Sequence, residues 1–153
     1  MKMIIGLFSL FIVVNCFASN PTPTSTAAIA GFWKTIDDVS GQPKAIVEIK
    51  EEGDHSYSGR IVKMYPQPQE QPTVCVKCKD KRKNQPLIGM VIMEHLIKNK
   101  EAHNSWTNGN IIDPHNGKNY RCNIQLLENG QRLMVRGYIG LPLFGRSQIW
   151  IKA

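Results

Sequence analysis

No stretch of this 153-residue chain carries a convincing amphipathic helical period, apart from a weak one at residues 87–98. A helical bundle or a βαβ architecture therefore has nothing to be built from. Missing as well are the short patterns that carry chemistry: there is no Ser/His/Asp order, nucleophile elbow, phosphate loop or metal-binding His pair. Enzyme activity is the minority reading, no catalytic or metal-binding residue is assigned, and no cofactor is expected. The apolar run at residues 3–14 falls short of the about 20 residues that a helical membrane span needs. The basic run at residues 77–83 contains no aromatic residue, which makes nucleic acid a poor partner.

What is present begins with a leader. Lys2, the apolar run and the small-residue end at Ala18 form an export signal over residues 1–18, which directs the chain through the general export pathway to the periplasm. Lipidation of Cys16 fits poorly, because Asn15 stands where lipoprotein processing expects a small residue. Residues 19–30 contain no charge and are rich in Asn, Pro, Thr and Ala, the composition of a flexible tether. The folded domain then spans residues 31–153, long enough for one core. Net charge is +7, or +6 once Lys2 is removed. That draws a protein toward anionic polymers and membrane surfaces, although solubility accounts for it equally.

The domain reads as a succession of strands and turns. Tyr120, Cys122, Ile124 and Leu126 alternate with Asn119, Arg121, Asn123 and Gln125, a period of two that marks a strand with one buried face. Ahead of it, Asp113-Pro114-His115-Asn116-Gly117 has turn chemistry: Pro114 fixes φ, Gly117 accepts positive φ, and the Asp113 carboxylate serves its own backbone. Further strands fall at residues 31–35, 44–51, 55–65, 87–97, 133–139 and 146–152, with one more holding Ser105 and Trp106, and Asn108-Gly109 offers a turn of its own. A meander of about eight antiparallel strands can remove its edges by closing. The expected fold is all-β, a single up-and-down barrel whose interior holds side chains or one small ligand.

Three groups of residues could carry function. Cys75-x-x-Cys78 can be a disulfide stiffening a loose loop, a redox pair or half of a zinc site. The disulfide is favoured, because no second paired motif completes a zinc site and the βαβ context of redox motifs is absent. Cys122 is then a buried free thiol. Lys77, Lys79, Lys81, Arg82 and Lys83 could contact an anionic envelope glycan, lipid or protein partner, or be a solvated loop. Tyr57, Trp106, Tyr120, Arg136, Tyr138 and Trp150 could line a cavity for a small apolar or amphipathic ligand, or simply fill the core.

An ordered set of motifs adds a family. Gly31-x-Trp33, Tyr57-x-Gly59-x-Ile61, Cys75-x-x-Cys78, Pro86-Leu87-Ile88-Gly89, Trp106-x-x-Gly109 with Asp113-Pro114-x-x-Gly117-Lys118-x-Tyr120, Leu133-x-Val135-Arg136-Gly137-Tyr138 and Gly145-Arg146-Ser147-Gln148-x-Trp150 resemble the bacterial DUF2147 family of secreted or periplasmic proteins. The resemblance covers essentially the whole domain. It implies a lipocalin-like barrel of calycin type and says little about activity. It also implies that Gly31 and Trp33 close the barrel base under a stacked arginine, with Arg146 the first choice and Arg136 the second.

Overall fold

A computed structural model describes residues 29–67 and 72–153. The leader at 1–18 and the tether up to residue 28 lie outside the described residues. Eight strands follow in order: β1 (Gly31–Ile36), β2 (Pro43–Glu51), β3 (Ser56–Met64), β4 (Val91–Lys98), β5 (Ser105–Asp113), β6 (Lys118–Leu127), β7 (Arg132–Tyr138) and β8 (Arg146–Lys152). Each pairs antiparallel with the next, and β8 returns to β1 through Trp33–Lys152 and Thr35–Trp150. The result is a closed eight-stranded barrel, as the strand count requires.

Strand alternation sorts side chains into an inner and an outer set. On the inside, Trp33, Val47, Ile49, Met93, Leu96, Trp106, Cys122, Ile124 and Leu133 are essentially inaccessible. Registers such as Trp33–Val47, Trp106–Ile124 and Ile124–Val135 bring them together. Eight strands enclose a space that such residues can fill, and here they do so at one end, the base. Two inner glycines let this packing close up: a Cβ on Gly109 would lie 2.6 Å from Leu96, and one on Gly59 3.2 Å from Met93 and Val47.

The structure changes several sequence expectations. Ile29, assigned to the tether, is fully buried in the base. Asn108-Gly109 is not a turn, because β5 runs through it; Asn108 at φ 63° makes a bulge instead. Residues 87–90 belong not to β4 but to a long excursion between β3 and β4, in which Val74 bridges Pro86. That excursion carries its own apolar set, Cys75, Cys78, Leu87 and Met90, all buried. It lies over the outer side of the wall, where Ile92 and Ile112 point away from their inward neighbours Met93 and Ile111 and yet are 7% and 2% exposed.

Candidate functional site

Because the strands alternate in direction, all connectors fall at two ends. The base receives the start of β1, the turns after β2, β4 and β6, and the C-terminus. The opposite end, the mouth, is formed by the β1–β2 turn (37–42), the described parts of the excursion (65–67 and 72–90), the β5–β6 turn (114–117) and the β7–β8 loop (139–145).

The base is sealed. The Trp33 indole donates to the Ile29 carbonyl at 2.7 Å, and the Lys152 ammonium sits 5.9 Å from the indole centroid. The cation over Trp33 is therefore Lys152, not Arg146 or Arg136. The reason is strand direction: β8 runs from mouth to base, so Arg146 lies six residues, about 20 Å, from the position opposite Trp33. Arg146 instead pairs with Asp38 at 2.6 Å on the mouth rim. Tyr57 and Trp106 also belong to the base, ring edge to face with centroids 6.2 Å apart. Burial raises the pKa of the Tyr57 phenol, and Glu51 nearby adds to the shift.

Toward the mouth the inner positions become half-exposed: Thr35, Met64, Ile111, Tyr120, Gly137 and Gln148. The Tyr120 hydroxyl accepts from the Asn116 side-chain amide at 3.1 Å, and Gln148 donates to Asp38 at 2.9 Å. Below this level lies Trp150, 2% exposed and registered with Leu133 and Thr35. Its indole N–H is buried without a hydrogen-bond partner. The Trp106 N–H also lacks a partner of good geometry, though it belongs to the packed base beside Tyr57. Two of the residues expected in a cavity face the other way. Arg136 and Tyr138 register with Asn123 and Arg121 on the outer side of β7, whose inward residues are Leu133, Val135 and Gly137. Period-two counting in β7 could have shown this, since Leu133 and Val135 are the apolar pair there.

The turn and excursion form one unit beside the mouth. Asp113 accepts from the backbone N–H of His115 at 2.9 Å and the Asn116 amide at 2.8 Å, so its carboxylate is occupied in shaping the turn. Gly117 at φ +71° leaves room for the Lys77 carbonyl, which a Cβ would meet at 1.9 Å. Cys75 and Cys78 form a disulfide with Cα atoms 5.5 Å apart, and the two residues are 0% and 1% exposed. Thiol exchange requires access to a sulfur, so the redox reading does not fit this burial. Arg82 is held in place: it donates to the Val91 carbonyl and the Asn119 side chain and grips Asp80. The Arg82 guanidinium holds the Asp80 carboxyl at about 2, below its usual 3.8, so the clamp is lost only as pH falls through that low value. Sequence alone could not separate Arg82 from the lysines around it. Two clefts flank this unit, one of about 490 Å³ reaching Met64, Thr73 and Leu87, the other of about 380 Å³ between Arg82, Pro86 and Glu94.

Cys122 lies on the inner wall, 0% exposed, and burial pushes its thiol up to about 12. An alkylating reagent at pH 8 should leave it untouched in the native protein and modify it on denaturation. The thiolate fraction alone is suppressed about a thousandfold relative to an ordinary cysteine. Rapid native modification, followed by mass spectrometry, would show that the barrel wall opens.

Known proteins agree with this architecture. A family model described as an uncharacterised protein conserved in bacteria (DUF2147) matches residues 31–152. No curated protein matches. Among solved structures, protein HP1028 from the human pathogen Helicobacter pylori, described as belonging to the lipocalin family, superimposes with a TM-score of 0.69 at 18% identity over 83% of this chain and 84% of that one. At that identity the likeness speaks to the fold alone: this is a lipocalin-like barrel, and by the match across its whole folded domain the chain belongs to the DUF2147 family.

Proposed function

We propose that this protein binds one small amphipathic molecule in the upper part of the barrel. The ligand's acceptor group sits at the Trp150 indole, and its apolar part lies toward Ile111, Met64 and the adjoining cleft. The observation that supports this most is the orphaned Trp150 N–H. A buried donor without a partner costs about 1–3 kcal/mol, which a carboxylate or carbonyl oxygen reaching that level would recover. The half-exposed inner residues above it provide the way in, and the 490 Å³ cleft beside Met64 is of the size that small ligands occupy. Of the aromatic residues expected at a cavity, Tyr120 and Trp150 are the ligand contacts in this reading, while Tyr57 and Trp106 pack the floor.

Gly137 gives a direct test. It faces inward opposite Cys122 and Arg146, its φ is not positive, and a Cβ there meets Tyr120 at 3.5 Å and Ile111 at 3.8 Å, ordinary contact distances. Gly137→Leu should therefore fold and occupy the ligand's space. In tryptophan-fluorescence titrations with fatty acids, lysolipids and apolar dyes, the wild type is expected to respond to at least one. Gly137→Leu should weaken that binding at least tenfold, about 1.4 kcal/mol, with its urea midpoint little changed. Silence of the wild type across the panel would reject the reading.

A second reading rests on the excursion, where Lys77, Lys79 and Lys81 are exposed and form no ion pair among the described residues. They suit an anionic envelope polymer. Neutralising them should then abolish salt-sensitive binding to envelope fractions while leaving barrel ligands unaffected.

A further inference from the structure

We infer that the mouth end docks on an anionic lipid surface, with the β7–β8 loop inserted into it. Six large apolar residues of the described chain are more than three-fifths exposed: Val39 at 94%, Leu143 at 79%, Phe144 at 77%, Ile139 at 65%, Leu141 at 64% and Ile88 at 61%. Five of them lie in turns of the mouth, Ile88 lies in the excursion, and none is at the base. Four of them belong to a single loop that contains no charged residue between Tyr138 and Arg146. Isolated apolar side chains on a surface need no explanation, but a contiguous projecting set marks a contact surface.

The loop backbone favours lipid over a protein partner. Polar backbone groups enter an apolar medium only if they are already paired. Here the Phe144 N–H donates to Leu141 at 3.1 Å and the Gly145 N–H to Pro142 at 3.0 Å, and Pro142 has no N–H to satisfy. Arg136 adds two carbonyls and a hydroxyl from behind: it donates to the Pro142 carbonyl at 2.8 Å, the Leu143 carbonyl at 3.2 Å and the Ser147 hydroxyl at 2.9 Å. This guanidinium, expected inside the barrel, braces the loop from the outer face. The tip is thus a preformed convex wedge rather than a groove shaped for another chain.

Charge selects the surface. Lys77, Lys79, Lys81 and Lys118 are exposed at the same end, where two of the four described acids, Asp38 and Asp80, are neutralised by arginines and the other two shape their own turns. Asp37 accepts from the Ser40 backbone and hydroxyl, Asp38 from Arg146 and Gln148, Asp80 from Arg82, and Asp113 from its own turn. An excess of lysines at the same end as an apolar wedge is the pairing that anionic bilayers attract. The docking does not depend on whether the barrel holds a ligand, since the wedge lies outside it.

The test is flotation of the full chain with vesicles of phosphatidylcholine alone or with phosphatidylglycerol added. The wild type is expected to float with the anionic vesicles and far less with the neutral ones. The double variant Leu143→Ser with Phe144→Ser removes two exposed side chains, so it should keep its near-UV circular dichroism and lose binding at least tenfold. Phe144→Trp should retain binding and shift its emission to the blue on anionic vesicles. Absence of wild-type flotation, equal flotation of the double variant, or capture by a protein with no vesicle binding would each overturn the inference. So would loss of flotation only on neutralising Lys77, Lys79 and Lys81.

Discussion

Replacing Trp33 by alanine is expected to destabilise the barrel by about 3–5 kcal/mol, enough to unfold much of a domain whose total stability is about 5–15 kcal/mol. The size of the effect follows from three losses at one position. The indole is 0% exposed, so its removal leaves a cavity that the rigid strands around it cannot close. Its N–H no longer satisfies the Ile29 carbonyl, which is what fixes the chain just before β1. The Lys152 ammonium loses the ring face beneath it. Urea unfolding followed by far-UV circular dichroism should show a midpoint lower by roughly 2 M, given slopes of about 1–3 kcal/mol/M for small proteins. Phe32→Ala is the matched control: Phe32 is 49% exposed on the outside of the same strand, and its loss should cost about 1 kcal/mol or less. Equal effects of the two substitutions would show that the base is not the packed end.

Gly117→Val should release the excursion from the β5–β6 turn, at a cost of about 3 kcal/mol or more. Two strains coincide there. A β-branched residue at φ +71° is disfavoured by about 1–3 kcal/mol wherever it occurs. In addition, its Cβ would stand 1.9 Å from the Lys77 carbonyl, a backbone atom inside the Cys75–Cys78 loop that cannot rotate away. Gly41 separates the two contributions, because it has φ +68° and open space where a Cβ would stand, with no atom within 4 Å; Gly41→Val should bear only the conformational strain. The readout is the rate at which dithiothreitol reduces Cys75–Cys78. It should be slow in the wild type and in Gly41→Val, where the sulfurs stay covered, and much faster in Gly117→Val. Unchanged reduction in Gly117→Val would mean that the turn does not hold the excursion.

The barrel was legible because its signals are local. The alternation through Tyr120, Cys122, Ile124 and Leu126, the Asp113-to-Gly117 turn and the count of strands each depend on near neighbours in the chain, and each reappears in the structure. What the sequence concealed depends on closure. Which cation covers Trp33 is decided by the pairing of β1 with β8, residues over a hundred positions apart, and that pairing selects Lys152. The outward direction of Arg136 was readable from Leu133 and Val135, but its grip on the β7–β8 carbonyls was not. Likewise the Cys75–Cys78 loop looked like an exposed basic segment, and its sulfurs are buried in a structure that seats it against the β5–β6 turn at Pro114 and Gly117. Arg82 differs from its lysine neighbours because Asp80 and Asn119 hold it, which no charge count conveys.

A ligand in the upper barrel whose acceptor group meets Trp150 is open to direct observation. The chain has three tryptophans, and their indole N–H resonances report on it separately. Trp33 is already bonded to Ile29 and serves as an internal reference, while Trp106 lies in the floor. In a titration of the nitrogen-15-labelled protein with a ligand found by fluorescence, the Trp150 indole proton should move downfield to saturation, the Trp33 signal should stay in place, and Gly137→Leu should suppress the shift. Saturating ligand that leaves the Trp150 signal unmoved would contradict the account.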